Sequence, residues 1–152
     1  MIYYRNDVRR SGVDRRALLG AARRLMVEVG EGGSSLSISL VDDDAIRRLN
    51  REFRGKNAPT DVLSFTLHEN GETMPERLLG DVVISVDTAR RQAAAYDAPL
   101  QREVYRLLIH GILHVVGHDH ERAGERRAME AEERRLARAI GLPWPYAARR
   151  NA

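Results

Sequence analysis

Residues 35–53 read SLSISLVDDDAIRRLNREF, and the period of the apolar positions changes inside that run. From Ser35 to Val41 the residues alternate, with Leu36, Ile38 and Leu40 on one side, which predicts a half-buried strand. Beyond it Ile46, Leu49 and Phe53 recur at helical spacing, which predicts a helix through about Phe53 with those three facing inward. Asp42, Asp43 and Asp44 suit the positive N-terminal end of that helix, a better account of them than an acidic metal cluster.

The same two periods sort the rest of the chain. Residues 2–5 read as a short strand. Asp14 caps a helix that runs to about Val29, with Leu18, Leu25, Met26 and Val29 on one face and Gly30 ending it. Residues 54–61 (RGKNAPTD) are a loop by composition, 62–67 a strand, 68–77 a polar surface loop and 81–86 another strand. Asp87 caps a helix of about 88–96; Asp97 and Pro99 open a further one that reaches about Val116. Over 121–138 Glu and Arg dominate at helical spacing, with Met129, Leu136 and Ile140 as the apolar face and Gly141 and Pro143 as the stop. The order β-α-β-α-β-β-α-α-α, strands early and helices late, argues for an α+β fold with a small mixed β-sheet packed against helices.

With 152 residues and no sign of a linker or repeat, a single domain over 1–152 is expected, long enough to bury a core without disulfides. The absence of cysteine excludes thiolate metal sites and disulfide scaffolds. No stretch approaches the roughly 18 apolar residues of a membrane span, and MIYYRNDVRR lacks the apolar run of a signal peptide. The expectation is a soluble cytoplasmic protein. The net charge is only +3, but Lys56 is the only lysine, so nearly all cations are arginine forks suited to phosphate. A GC-rich genome and ordinary solvated helix faces explain that composition as well, and composition alone does not make the chain a nucleic-acid binder.

The strongest chemical signal is HGILHVVGHDH, residues 110–120, with four of the five histidines. His110 and His114 are four apart on a helix, so they share a face and can converge on one cation. Gly117 allows a left-handed, helix-ending turn that brings His120 in from another direction. Three neutral nitrogens leave one position of a tetrahedral ion open, as a catalytic zinc requires. His118 is a ligand, a support for one, or a wall of the site; support or wall is favoured over ligand because three ligands plus water complete the coordination. Asp119 either orients a ligating imidazole or satisfies backbone in the turn. His68, in the polar loop, reads as a surface residue.

In H-E-x-x-H peptidases the general base follows the first histidine, and here that position is Gly111. Glu121 opens the next helix and reads as an N-terminal charge. A metal that lowers the pKa of water and polarises a substrate oxygen suits phosphodiester cleavage, provided another cation neutralises the phosphate.

The histidine run, together with FRGKNAPTDVLSF (53–65) and LLGDVVIS (78–85), closely resembles the YbeY family of bacterial rRNA-maturation endoribonucleases over about residues 36–140. The resemblance implies an α+β fold with a zincin-like metal site on a helix and the following turn. It implies a metal-dependent, single-strand-specific endoribonuclease acting in 3′-end maturation of small-subunit (16S) rRNA and in ribosome quality control. It implies one Zn(2+) per chain on His110, His114 and His120, and it places the functionally important arginine at Arg54. Small-subunit ribosomal proteins and an assembly GTPase are the implied partners, besides single-stranded RNA. Arg54 would hold a phosphate or stabilise transition-state charge. Thr60, Asp61 and Ser64 share its segment: Asp61 would anchor the loop or pair with Arg54, and Ser64, like His118, would face substrate. The family position at His118 is often aromatic, so histidine is a departure there. The tail YAARRNA lies outside the resemblance, and its basic pair is a further candidate for RNA contact.

Two other readings stand beside the nuclease: a zinc peptidase or other metallohydrolase, against which Gly111 argues, and a non-enzymatic ribosome-assembly factor with structural zinc. The nucleophile stays open between an activated water and the ribose 2′-OH.

Overall fold

The computed structural model describes residues 1–67, 77–118 and 123–143. Within them run β1 (Ile2–Asn6), α1 (Arg15–Glu28), β2 (Ser35–Val41), α2 (Asp43–Arg54), β3 (Val62–Thr66), β4 (Leu78–Ser85), α3 (Val86–Ala95), α4 (Leu100–Val115) and α5 (Ala123–Ala139). This is the expected order, and the fold is α+β. The sheet is mixed, in the order β1-β2-β4-β3. β1, β2 and β4 are parallel, while β3 lies antiparallel to β4 at the edge.

The alternation in β2 has the consequence its sequence implied. Leu36, Ile38 and Leu40 enter the main core with Leu18, Ala22, Leu25 and Met26 of α1. α4 runs through the same core with Val104, Leu107, Leu108, Ile109, Ile112, Leu113 and Val115 buried. A helix apolar on most of its circumference must be enclosed, and the sheet, α1, α3 and α5 enclose this one. A smaller cluster of Val41, Ile46, Leu63 and Val83 lies under α2. No described helix is long and apolar enough to cross a membrane.

Three local expectations need correction. β4 starts at Leu78 rather than at residue 81, because Ser35 pairs with Leu78 across a register irregularity that extends the ladder. Asp87 does not cap α3. β4 passes into α3 without a loop, so Ser85 is the cap, its Oγ accepting the Thr88 N–H at 3.2 Å. Asp87 instead accepts the N–H of Asp43 at 2.9 Å. Phe53 does not face inward: it is 59% exposed and touches Phe65 edge-on.

The reciprocal of that Asp87 bond ties α2 to α3. The Asp43 carboxylate accepts Ser85 Oγ at 2.7 Å, Thr88 Oγ1 at 2.6 Å and an Arg91 guanidinium N–H at 2.7 Å. Partial burial pushes that carboxyl upward; the bonds from Thr88, Ser85 and Arg91, with the Arg91 charge, outweigh it and hold its pKa below the ordinary value. The start of α2 is thereby fixed against α3, which helps to set where its far end, Arg54, emerges.

Candidate metal centre

His110 and His114 lie on the last turns of α4, and their Nε2 atoms are 3.1 Å apart. The rings meet edge to face with centroids 4.6 Å apart. Two nitrogens bound at ~2.0–2.1 Å to one tetrahedral ion lie about 3.3 Å apart, so the pair fits shared ligation. Among the described residues no group of three potential ligands gathers. The third expected ligand, His120, lies outside the described residues, as do Asp119, His68, Glu121 and the tail.

α4 ends as Gly117 predicted, at φ +102°. The Gly117 N–H bonds the His114 carbonyl at 3.1 Å and the His118 N–H bonds that of Leu113 at 2.9 Å. This double closure turns the chain away directly after His114. His118 is half-buried and stands outside the residues that line the site's cavity.

That cavity, about 380 Å³, is lined by Arg54, Thr60, Asp61, Val62, Leu63, Ser64, His110, Gly111 and His114. The fold thus brings the loop motif and the histidine helix to one place. Arg54 arrives there because Gly55, at φ +71°, ends α2 in the left-handed region. The following loop is pinned to α2: Asn50 Nδ2 bonds the Ala58 carbonyl and Arg47 bonds the Asn57 side chain, each at 2.8 Å. Arg54 is exposed and, among the described residues, its side chain makes no hydrogen bond or ion pair. A guanidinium without an internal partner at a cavity mouth is available to an anion.

Asp61 does not pair with Arg54. Its carboxylate accepts the Val62 N–H at 2.8 Å and Gln92 Nε2 at 3.4 Å, with Arg106 3.8 Å away. Gln92 also reaches Glu103 at 2.6 Å, and Arg106 forks onto Glu103 at 2.7 and 2.8 Å. Glu103 is completely buried. This chain of partners locks the loop to α3 and α4. Sequence reading missed Glu103, Arg106 and Gln92. The available signal was spacing: Glu103, Arg106, His110 and His114 form one polar stripe along an apolar helix.

Two glycines are dictated by close approach. A Cβ on Gly111 would stand 2.6 Å from Val82 Cγ1, so α4 rests directly on β4. A side chain at this position starts into the sheet, which leaves no place for a peptidase glutamate. A Cβ on Gly80 would stand 2.2 Å from the Phe65 carbonyl oxygen, so β3 can pair beside the site only over glycine.

Comparison with known proteins adds the relationship. The family model for Endoribonuclease YbeY matches residues 10–141. An Endoribonuclease YbeY of Myxococcus xanthus is 49% identical over 128 residues, 84% of this chain and 44% of that protein. One of Moorella thermoacetica is 47% identical over 118 residues, 73% of this chain and 76% of that one. The chain therefore spans less than half the length of the first relative and about three quarters of the second. The solution structure of TM1509 from Thermotoga maritima superposes with a TM-score of 0.65 at 25% identity, covering 100% of this chain and 97% of that one. With the family pattern matched from before α1 to the end of α5, the chain belongs to the YbeY endoribonuclease family.

Proposed function

We propose that this chain is a zinc-dependent endoribonuclease that cuts single-stranded RNA during maturation of the small-subunit rRNA. The observation that carries the reading is the convergence of His110 and His114 in one cavity with Arg54, whose side chain has no partner among the described residues. His110, His114 and His120 would hold the ion, and three neutral nitrogens without a thiolate suit zinc. When bound, the ion supplies Lewis acidity and makes water acidic near neutral pH.

The chain's own residues do the rest. Arg54 grips the scissile phosphate and offsets the charge that grows on it. Ser64, on the edge strand, offers a hydroxyl to the substrate from the cavity wall. Asp61 keeps the loop in place through Val62, Gln92 and Arg106 rather than exchanging protons. The buried faces of α4 and β4 hold the histidine pair still while substrate enters from the β3 edge. The family relationship supports a cytoplasmic setting, with small-subunit ribosomal proteins and an assembly GTPase as partners and ribosome quality control as a role.

The test is cleavage of precursor small-subunit rRNA by purified, metal-quantified protein, beside His114→Ala and Arg54→Ala prepared identically. His114→Ala should lose zinc and cleavage together. Arg54→Ala should keep zinc and melting temperature but cut on the order of a hundredfold more slowly. Equal cutting by all three would mean a contaminating nuclease and sink the reading. A 2′,3′-cyclic phosphate on the product would assign the nucleophile to the ribose.

A further inference from the structure

Phe53 is a large aromatic left 59% exposed in a chain that has only two phenylalanines. The second, Phe65, supports it: the ring centroids are 5.2 Å apart at 66°. Leu67, 47% exposed, lies just past the end of β3, two residues after Phe65. The patch adjoins the cavity through Arg54, which follows Phe53 in the chain and lines that cavity. Three cations lie near Phe53 in the chain. Arg51, Arg54 and Lys56 are exposed and, among the described residues, their side chains form no ion pair.

We propose that Phe53, braced by Phe65, is a stacking platform for an unpaired base of the RNA strand whose phosphate lies at Arg54. The proposal rests on the RNA-cleaving reading above. Proteins that hold single strands combine cations that follow the phosphates with aromatic faces on which bases stack. Adjacent residues 53 and 54 supply one of each, with Cα atoms only about 3.8 Å apart, so both parts can meet the same or neighbouring nucleotides. An edge-to-face partner braces the Phe53 ring, which stays 59% exposed. The platform also accounts for preference: a paired base cannot leave its stack to reach the ring, whereas an unpaired one can. Arg51 and Lys56, exposed and within three residues of Phe53 in the chain, would carry neighbouring phosphates.

The experiment is steady-state cleavage of an unstructured ten-nucleotide RNA and of versions with one abasic position each. Phe53→Leu keeps apolar bulk but has no ring, and Phe53→Tyr restores one. Wild type should show an about tenfold or greater rise in KM at one particular abasic position, with kcat little changed. Phe53→Leu should show the same rise on the intact RNA and no further rise with that abasic version. Phe53→Tyr should behave as wild type, and all should melt alike. If wild type cuts and Phe53→Leu keeps the wild-type KM, the platform is overturned while the nuclease reading stands. If Phe53→Leu loses melting temperature and kcat, and still responds to every abasic position as wild type does, the residue is structural and the proposal fails. If wild type does not cut RNA at all, the nuclease reading falls and takes the platform with it.

Discussion

Nε2 of His110 and Nε2 of His114 point at each other across 3.1 Å, from one face of a helix whose other sides are buried. Neither histidine belongs to the apolar core, so the core can form whether or not an ion is held. Chelation should therefore leave a folded protein with a lower melting temperature. Zinc at a hundredfold its Kd should restore about 2.7 kcal/mol. Circular dichroism melts in chelator and in added zinc check this. A chain that unfolds completely on chelation would make the ion structural and favour the assembly-factor reading.

Gly111 lets α4 lie on Val82. Alanine there improves helix propensity but drives a methyl into the sheet. Overpacking of this kind costs about 1–3 kcal/mol, enough to exceed the gain of about 1 kcal/mol from helix propensity. Gly111→Ala should unfold at lower denaturant and bind zinc more weakly, because the shifted turn carries both histidines. Denaturant midpoints and zinc titration measure the two effects. Gly111→Glu should not acquire peptidase activity.

Glu103 is buried and takes both arms of Arg106. Glu103→Ala removes the buried carboxylate that takes both arms of Arg106 and should cost about 3 kcal/mol. It also removes one partner of Gln92, which holds Asp61. Glu103→Gln, isosteric, should recover part of the stability. Chemical denaturation of both variants decides it; a loss within about 0.5 kcal/mol, typical of a surface site, would contradict the network.

The Asp43 carboxyl has its pKa held below the ordinary carboxylate value in the folded chain. A depressed folded pKa gives stability that is present above the unfolded value, about 3.9, and is lost as pH falls through the folded one. Asp43→Asn should therefore be less stable than wild type near neutral pH, and the gap should close in acid below pH of about 4. Melting temperatures of both proteins from pH 7 down to 3 trace it. A gap that widens in acid would contradict the sign.

Local periodicity carried most of the element order. The switch from period two to helical spacing between Ser35 and Phe53 marked β2 and α2, and the H-x3-H spacing put two imidazoles on one face, because a helix repeats by local geometry alone. Gly30 and Gly117 marked their turns for the same reason, a steric rule that acts at one residue. Everything set between distant segments waited for the tertiary structure. Phe53 fits the helical pattern of an inward residue, yet it meets Phe65 of the edge strand and stays 59% exposed. Asp61 had two roles open in sequence, anchoring its loop or pairing with Arg54, and packing set it against Gln92 and Arg106 as an anchor. Gly111 looked like a missing base, and contact with Val82 shows a position with no room for one. Spacing along a chain determines which residues share a face; only the packing of one element on another determines what that face meets.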